Sequence, residues 1–166
     1  MHTVYQPYGS TLCGPACVAS ILEITLDEAC GLIGKRGLTR TKLIRAALAK
    51  RDVVLGPRVP PKDQVPSRTY LARVKWKGEK HTHWVIIRPD GRVFDPAFGF
   101  DPDWGAGYIS SLYEITESPL KPIRELALQA TRLMDTIDRE ELDGDKYQNL
   151  KDAAKRVHRI RQMAGG

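Results

Sequence analysis

Cys13 opens the run Cys-Gly-Pro-Ala-Cys, His81 and His83 flank a threonine in His-Thr-His-Trp, and Asp95 stands directly before Pro96. A thiol, an imidazole and a carboxylate are the parts of a nucleophilic acyl-transfer site. The thiolate attacks a carbonyl, the imidazole carries the proton, and the carboxylate orients the imidazole. Such a site also needs a donor for the oxyanion that develops on the attacked carbonyl. Gln6, seven residues before Cys13, is the only amide side chain near it in sequence. Loss of one oxyanion donor typically costs about 2.7 to 4 kcal/mol of transition-state stabilisation.

The positions of these residues are set by the elements that carry them. From Cys13 the sequence reads CGPACVASILEI, a mostly apolar helix whose first turn holds the cysteine. Unpaired backbone N–H groups and the helix dipole favour negative charge there, which suits a thiolate. Gly14 lets a substrate approach the backbone closely, and Pro15 is tolerated because its missing N–H would have had no partner in the first turn.

The base is chosen by strand register. His81 and His83 fall on one face of a strand, because side chains alternate with a period of two. Pro89-Asp90-Gly91 suits a three-residue hairpin loop, with proline leading a type I turn and glycine in the left-handed position. If Arg88 then flanks Arg92, Val85 faces Asp95, and His83 lies diagonal to Asp95 at roughly 7 to 8 Å between backbones. His81 is two residues farther away. His83 is therefore the expected base, and a register slip of one would put Asp95 on the opposite face.

Around these residues the chain reads as helices followed by strands. Short helices are expected over Leu26–Ile33, starting at Asp27 and stopping at Gly34, and over Arg40–Lys50, capped by Thr39. The stretches VVL, TYLARVKW, HWVIIR, RVFD and YISSLYEI read as strands. The proline-rich segment Gly56–Ser67 reads as a surface connection. Helical pattern returns beyond Pro119 and Pro122, giving a helical hairpin appended over 118–166 to a domain spanning 1–117. Helices first and an antiparallel sheet second describe an α+β fold of segregated layers.

In order along the chain, QPYGSTLCGPACVASIL, GLTRTKLIRAAL, HWVII and VFDP resemble the bacteriocin-processing papain-like cysteine peptidases, which trim leader peptides after double glycine. The resemblance covers roughly residues 4 to 116. In that family a Gln precedes the Cys-Gly helix start, the His opens a hydrophobic strand, and the Asp stands in an Asp-Pro pair. Gln6, Cys13, His83 and Asp95 with Pro96 match those places. The resemblance implies a papain-like fold and a free-standing thiol protease, a hydrolase acting on a protein or peptide substrate. It also implies a Cys13–His83–Asp95 triad and a Gln6 oxyanion donor. The membrane helices of the transporter-linked members are missing from this chain, and the residues after Pro119 have no counterpart in the family core.

Other readings compete with this one. Cys13 and Cys17 with His81 and His83 supply four potential zinc ligands, but the spacing is not a usual zinc pattern and leaves Gln6 and Asp95 unexplained. The acyl-transfer site needs neither a metal nor an organic cofactor. The same acyl-enzyme could serve a deamidase or transamidase, and a silent relative could be a binding module using its basic surface. Cys17, one helical turn from Cys13, reads as core packing or as a resolving thiol, and Cys30 as core. Trp84 reads as core, and Trp76 and Trp104 as cleft-lining or packing residues.

Composition sets the remaining bounds. With 166 residues, 42% of them hydrophobic, the chain can bury one substantial core. Three cysteines close together are a poor disulfide framework, and no apolar run is long enough to span a bilayer, so a cytoplasmic protein away from membranes is expected. The net charge of +6 is concentrated at residues 35–92, which sum to +12. That segment suits an acidic partner or is simply a solvated face. Nucleic acid is not expected, because no binding motif or interleaved stacking aromatics accompany the charge.

Overall fold

Three helices precede a single sheet, and the first of them is built mainly from small apolar residues. In the computed structural model, residues 2–119 are described continuously, with scattered positions between 121 and 159. The chain divides into two units, Met1–Glu117 and Ser118–Gly166. The helical hairpin expected over 118–166 lies largely outside the described residues.

Helix α1 (Cys13–Leu22) buries eight of its residues, Cys13 through Ser20. Ala16, Cys17, Val18 and Ala19 are all fully buried. Their small side chains allow close packing of the helix against the sheet. The buried Ser20 hydroxyl is satisfied twice, donating to the Ala16 carbonyl at 2.9 Å and accepting the Val4 N–H at 2.9 Å, which ties the N-terminal segment to the helix.

Helix α2 (Leu26–Ile33) begins in a capping box between Thr25 and Glu28 and ends on Gly34 in the left-handed conformation. The cap is thus Thr25, because only the residue one turn before Glu28 can exchange bonds with it in both directions, and the helix begins at Leu26, one residue before the expected Asp27. Helix α3 (Thr41–Ala49) has Arg40 at its N-cap position with no side-chain cap. Thr39, the expected cap, instead donates to the Gly37 carbonyl at 2.8 Å.

The strands are β1 (Val53–Val59), β2 (Tyr70–Trp76), β3 (Thr82–Ile87), β4 (Val93–Asp95), β5 (Gly99–Phe100) and β6 (Gly107–Glu117). They form one antiparallel sheet in the order β1-β6-β2-β3-β4-β5. The last strand is thereby inserted between the first two. Leu71, Trp84, Ile86, Phe94 and Tyr113 pack with the helices in one core cluster. Residues of the opposite parity, Tyr70, Ala72, Val74, Val85 and Ile87, form a second cluster with Trp76 and Trp104.

Two strand expectations need correction. The segment from Gly56 is not entirely a surface connection, because β1 continues through it to Val59 and pairs Arg58 with Tyr113 and Val59 with Leu112. The register shifts between Leu55 and Arg58, so Pro57 falls where the ladder is already interrupted and its missing N–H breaks no regular pair. Arg45 of α3 donates to the Leu55 and Gly56 carbonyls at this irregularity. Strand β5 was not anticipated, since two residues are too few to reveal an alternating pattern.

Candidate active site

The first turn of α1 has donors to spare. No side chain caps the helix at Leu12, and the first intrahelical bond runs from the Ala16 N–H to the Leu12 carbonyl at 2.9 Å. Pro15 carries no N–H, which leaves those of Cys13 and Gly14 without intrahelical partners. Gly14 is required by packing: a Cβ at this position would lie 2.8 Å from the Thr39 Cβ and 3.2 Å from its hydroxyl. Thr39 is fixed in turn by the Trp84 indole, which donates to its carbonyl at 3.0 Å. Trp84 is a core residue, as expected, and it braces the loop that confines the Cys13 turn.

The hairpin has the anticipated register. The Arg88 N–H donates to the Arg92 carbonyl at 2.9 Å, and Ile87 and Ile86 pair with Val93 and Phe94. Continuing by one residue sets Val85 beside Asp95 and His83 on the diagonal. The side chains close that gap, with His83 Nε2 and Asp95 Oδ1 2.7 Å apart. The Cys13 thiol is the other side chain that acts on the imidazole, raising its pKa. Since Nε2 is taken by Asp95, Nδ1 is the ring nitrogen left for Cys13. His81 is exposed at the rim and stands apart from this pair.

Asp95 is more heavily engaged than the sequence suggested. Its side chain is fully buried. Besides His83, Oδ1 accepts the Ala97 N–H at 2.7 Å and the Phe98 N–H at 3.3 Å, while Oδ2 accepts the Trp104 indole N–H at 2.9 Å. Trp104 is itself held by Trp76, whose indole N–H donates to the Trp104 carbonyl at 3.1 Å. Trp76 also sits beside the imidazole, with ring centroids 6.4 Å apart. Sequence reasoning left Trp104 as a lining or packing residue. Nothing in the spacing of a lone tryptophan nine residues from Asp95 indicates an indole aimed at that carboxylate.

These contacts set the charge states. Burial opposes protonation of His83, but the Asp95 hydrogen bond, the Cys13 hydrogen bond and the charges of both raise its pKa to about 9. Burial likewise opposes ionisation of Asp95, yet the His83 bond and charge, the Ala97 N–H and the Trp104 indole hold its carboxyl below the ordinary value. The arrangement favours an imidazolium facing a carboxylate. Cys17 is different: burial, with the charges of Cys13 and Asp95 added, pushes its thiol well above the ordinary value. Fully buried and held as a thiol, it is a packing residue rather than a resolving thiol.

Gln6 is tied to the same turn through its backbone, whose N–H donates to the Pro96 carbonyl at 2.9 Å. Its carboxamide Nε2 donates to the Ser10 carbonyl at 3.1 Å. Oε1 is buried without a partner. An amide nitrogen carries two hydrogens, so the Ser10 bond leaves one donor of Gln6 uncommitted. The structure thus brings Cys13, His83 and Asp95 together, with His83 hydrogen-bonded to Asp95, and anchors Gln6 to the loop that follows Asp95. Among the described residues, no group of three or more His, Cys, Asp or Glu side chains is placed to hold a metal ion, and no helix is long and apolar enough to cross a membrane.

Compared with models of known protein families and with curated proteins, the chain matches none.

Proposed function

We propose that this chain is a papain-like cysteine peptidase that hydrolyses a peptide or isopeptide bond, with the residues beyond 117 as a helical appendage. The observation that carries the reading is the 2.7 Å contact between His83 Nε2 and Asp95 Oδ1, with the Cys13 thiol beside the imidazole at a helix start that has free N–H groups.

The chemistry follows from that arrangement. With its proton on His83, Cys13 attacks the substrate carbonyl and forms a carbon–sulfur bond. The carbonyl oxygen takes the negative charge and is held by the Cys13 N–H and the free donor of Gln6. The His83 imidazolium then protonates the departing amine as the carbon–nitrogen bond breaks, leaving a thioester on Cys13. Neutral His83 takes a proton from water, the resulting hydroxide equivalent cleaves the thioester, and Cys13 is released. Asp95 keeps the imidazole oriented throughout and remains ionised.

The test compares wild type with Cys13→Ala by intact-mass analysis after exposure to a cysteine-directed peptide aldehyde or epoxide, and sequences the fragments formed from a protein mixture. Stoichiometric labelling that requires Cys13, together with new termini absent from the variant, is the expected result. Labelling without new termini would shift the reading to deamidation or transamidation, since only the leaving group or acyl acceptor differs. A folded protein that does not label would overturn it.

A further inference from the structure

Cys13 also borders a second environment. On the side of the nucleophile lined by Thr39 and Trp84, a cleft of about 750 Å³ opens between the start of α3 and the start of β3. Lys35, Arg40, Lys42, Arg73 and Lys80 all line it, and no Asp or Glu does. These cations come from three separate stretches of sequence that meet only in the folded chain. Among the described residues none of the five is in an ion pair with a carboxylate.

Arg73 is the most constrained of the five. Its guanidinium lies 4.7 Å over the Trp84 ring and donates to the Thr41 hydroxyl at 3.0 Å. Its Nε is buried with no hydrogen-bond partner. A half-buried guanidinium whose Nε is buried without a partner is a costly arrangement by itself, and an anion in the adjoining cleft would offset that cost. Like charges gathered in a partly walled cleft focus the field, raising the local concentration of oppositely charged ligands and the rate at which they arrive.

We propose that this cleft is the specificity subsite of the peptidase site, and that it holds an acidic segment of the substrate polypeptide, with Asp or Glu side chains close to the bond that Cys13 attacks. The ligand is a peptide rather than a nucleic acid: the cations share the cleft with Cys13, whose chemistry requires a carbonyl, and Leu38 and Leu43 in its lining offer apolar contact to a peptide. The proposal rests on the peptidase reading for its biological sense. Its binding component can be measured without catalysis.

The experiment titrates Cys13→Ala into a rhodamine-labelled peptide of alternating Glu and Ala, followed by fluorescence anisotropy. A matched Gln-Ala peptide and a single-stranded oligonucleotide of equal charge serve as comparisons. The Glu peptide is expected to bind at least about tenfold more tightly than the Gln peptide and to weaken as salt is raised. Arg73→Gln, Arg40→Gln and Lys42→Gln are each expected to lower that affinity several-fold. Arg40 and Lys42 are exposed, so their variants test the cleft even if Arg73→Gln fails to fold. With wild type, the Glu peptide is expected to slow alkylation of Cys13 by iodoacetamide, and the Gln peptide is not.

Equal binding of the two peptides, tighter binding of the oligonucleotide, or Glu-peptide binding that leaves Cys13 alkylation unchanged would each overturn the proposal. Selective Glu-peptide binding in a protein that fails the aldehyde labelling test would sink the peptidase reading while leaving the acidic-ligand cleft standing. Robust cleavage with no preference for acidic sequences would do the reverse.

Discussion

The two sides of Cys13 are built on opposite principles. On one side, Asp95 is fully buried and its carboxylate accepts bonds from His83, Ala97, Phe98 and Trp104. On the other, five cations face an open cleft and Arg73 keeps a buried Nε without a partner. The first side is electrostatically complete and holds a ring in one orientation. The second is incomplete, and in the proposed reading an acidic ligand completes it. Satisfied polar networks suit the fixed parts of a reaction, whereas unpaired charge at a mouth suits recognition, where the missing partner is the substrate.

The contrast breaks most sharply at the nucleophile. Cys13→Ala is expected to lower turnover by at least about a thousandfold and to abolish aldehyde labelling, measured on the peptide that the cleavage screen identifies. Asp95→Asn comes next. It removes both a charge and the correct acceptor for the imidazole, and a fall in kcat on the order of 10⁴ is expected by analogy with other triads.

The same Asp95→Asn change should also alter the pH dependence. His83 in the folded chain is raised from 6.5 to about 9, so its contribution to stability is complete below 6.5 and is lost as pH rises through about 9. Asp95, held below its ordinary value, contributes above that value and loses its contribution as pH falls through the lowered one. In Asp95→Asn, an NMR titration of the His83 ring should give a midpoint displaced downward from about 9. An unmoved midpoint would mean that Asp95 does not govern the imidazole's charge.

Smaller effects test the supports. Trp104→Phe removes one donor to the buried carboxylate, a bond to a charged group worth about 1.5 to 3 kcal/mol. A loss of roughly tenfold or more in kcat/KM and a partial shift of the His83 midpoint are expected. Gly107→Ala should act in the same direction, because its Cβ would lie 2.7 Å from the Trp104 Cβ and 2.8 Å from the Trp76 indole nitrogen. Smallest in chemical consequence is Gly14→Ala, whose Cβ would be forced against Thr39. It should cost about 1 to 3 kcal/mol in a denaturant titration. An unchanged midpoint there would show that the loop after α2 yields easily and that it does not confine the nucleophile's turn.

Much of the first side was legible in the sequence and little of the second. The step from His83 to Asp95 rests on the two-residue strand period and on a Pro-Asp-Gly turn, both of which act over a few residues. The Cys13 helix start was visible for the same reason. Thr39 was misread because a threonine before a helix is a good cap, yet tertiary packing used its side chain against Gly14 and its carbonyl for Trp84.

Sequence by itself determined the order of helices and strands, the hairpin register that pairs an imidazole with a carboxylate, and the placing of a cysteine in the first turn of a buried helix. These follow from local periodicity, capping and turn chemistry. Only the tertiary structure decided that the Trp104 indole completes Asp95, that β6 inserts between β1 and β2, and that Lys35, Arg73 and Lys80 line one cleft beside Cys13. Those contacts join residues far apart in the chain, and no periodic pattern encodes them, because they depend on how whole elements pack around a shared core.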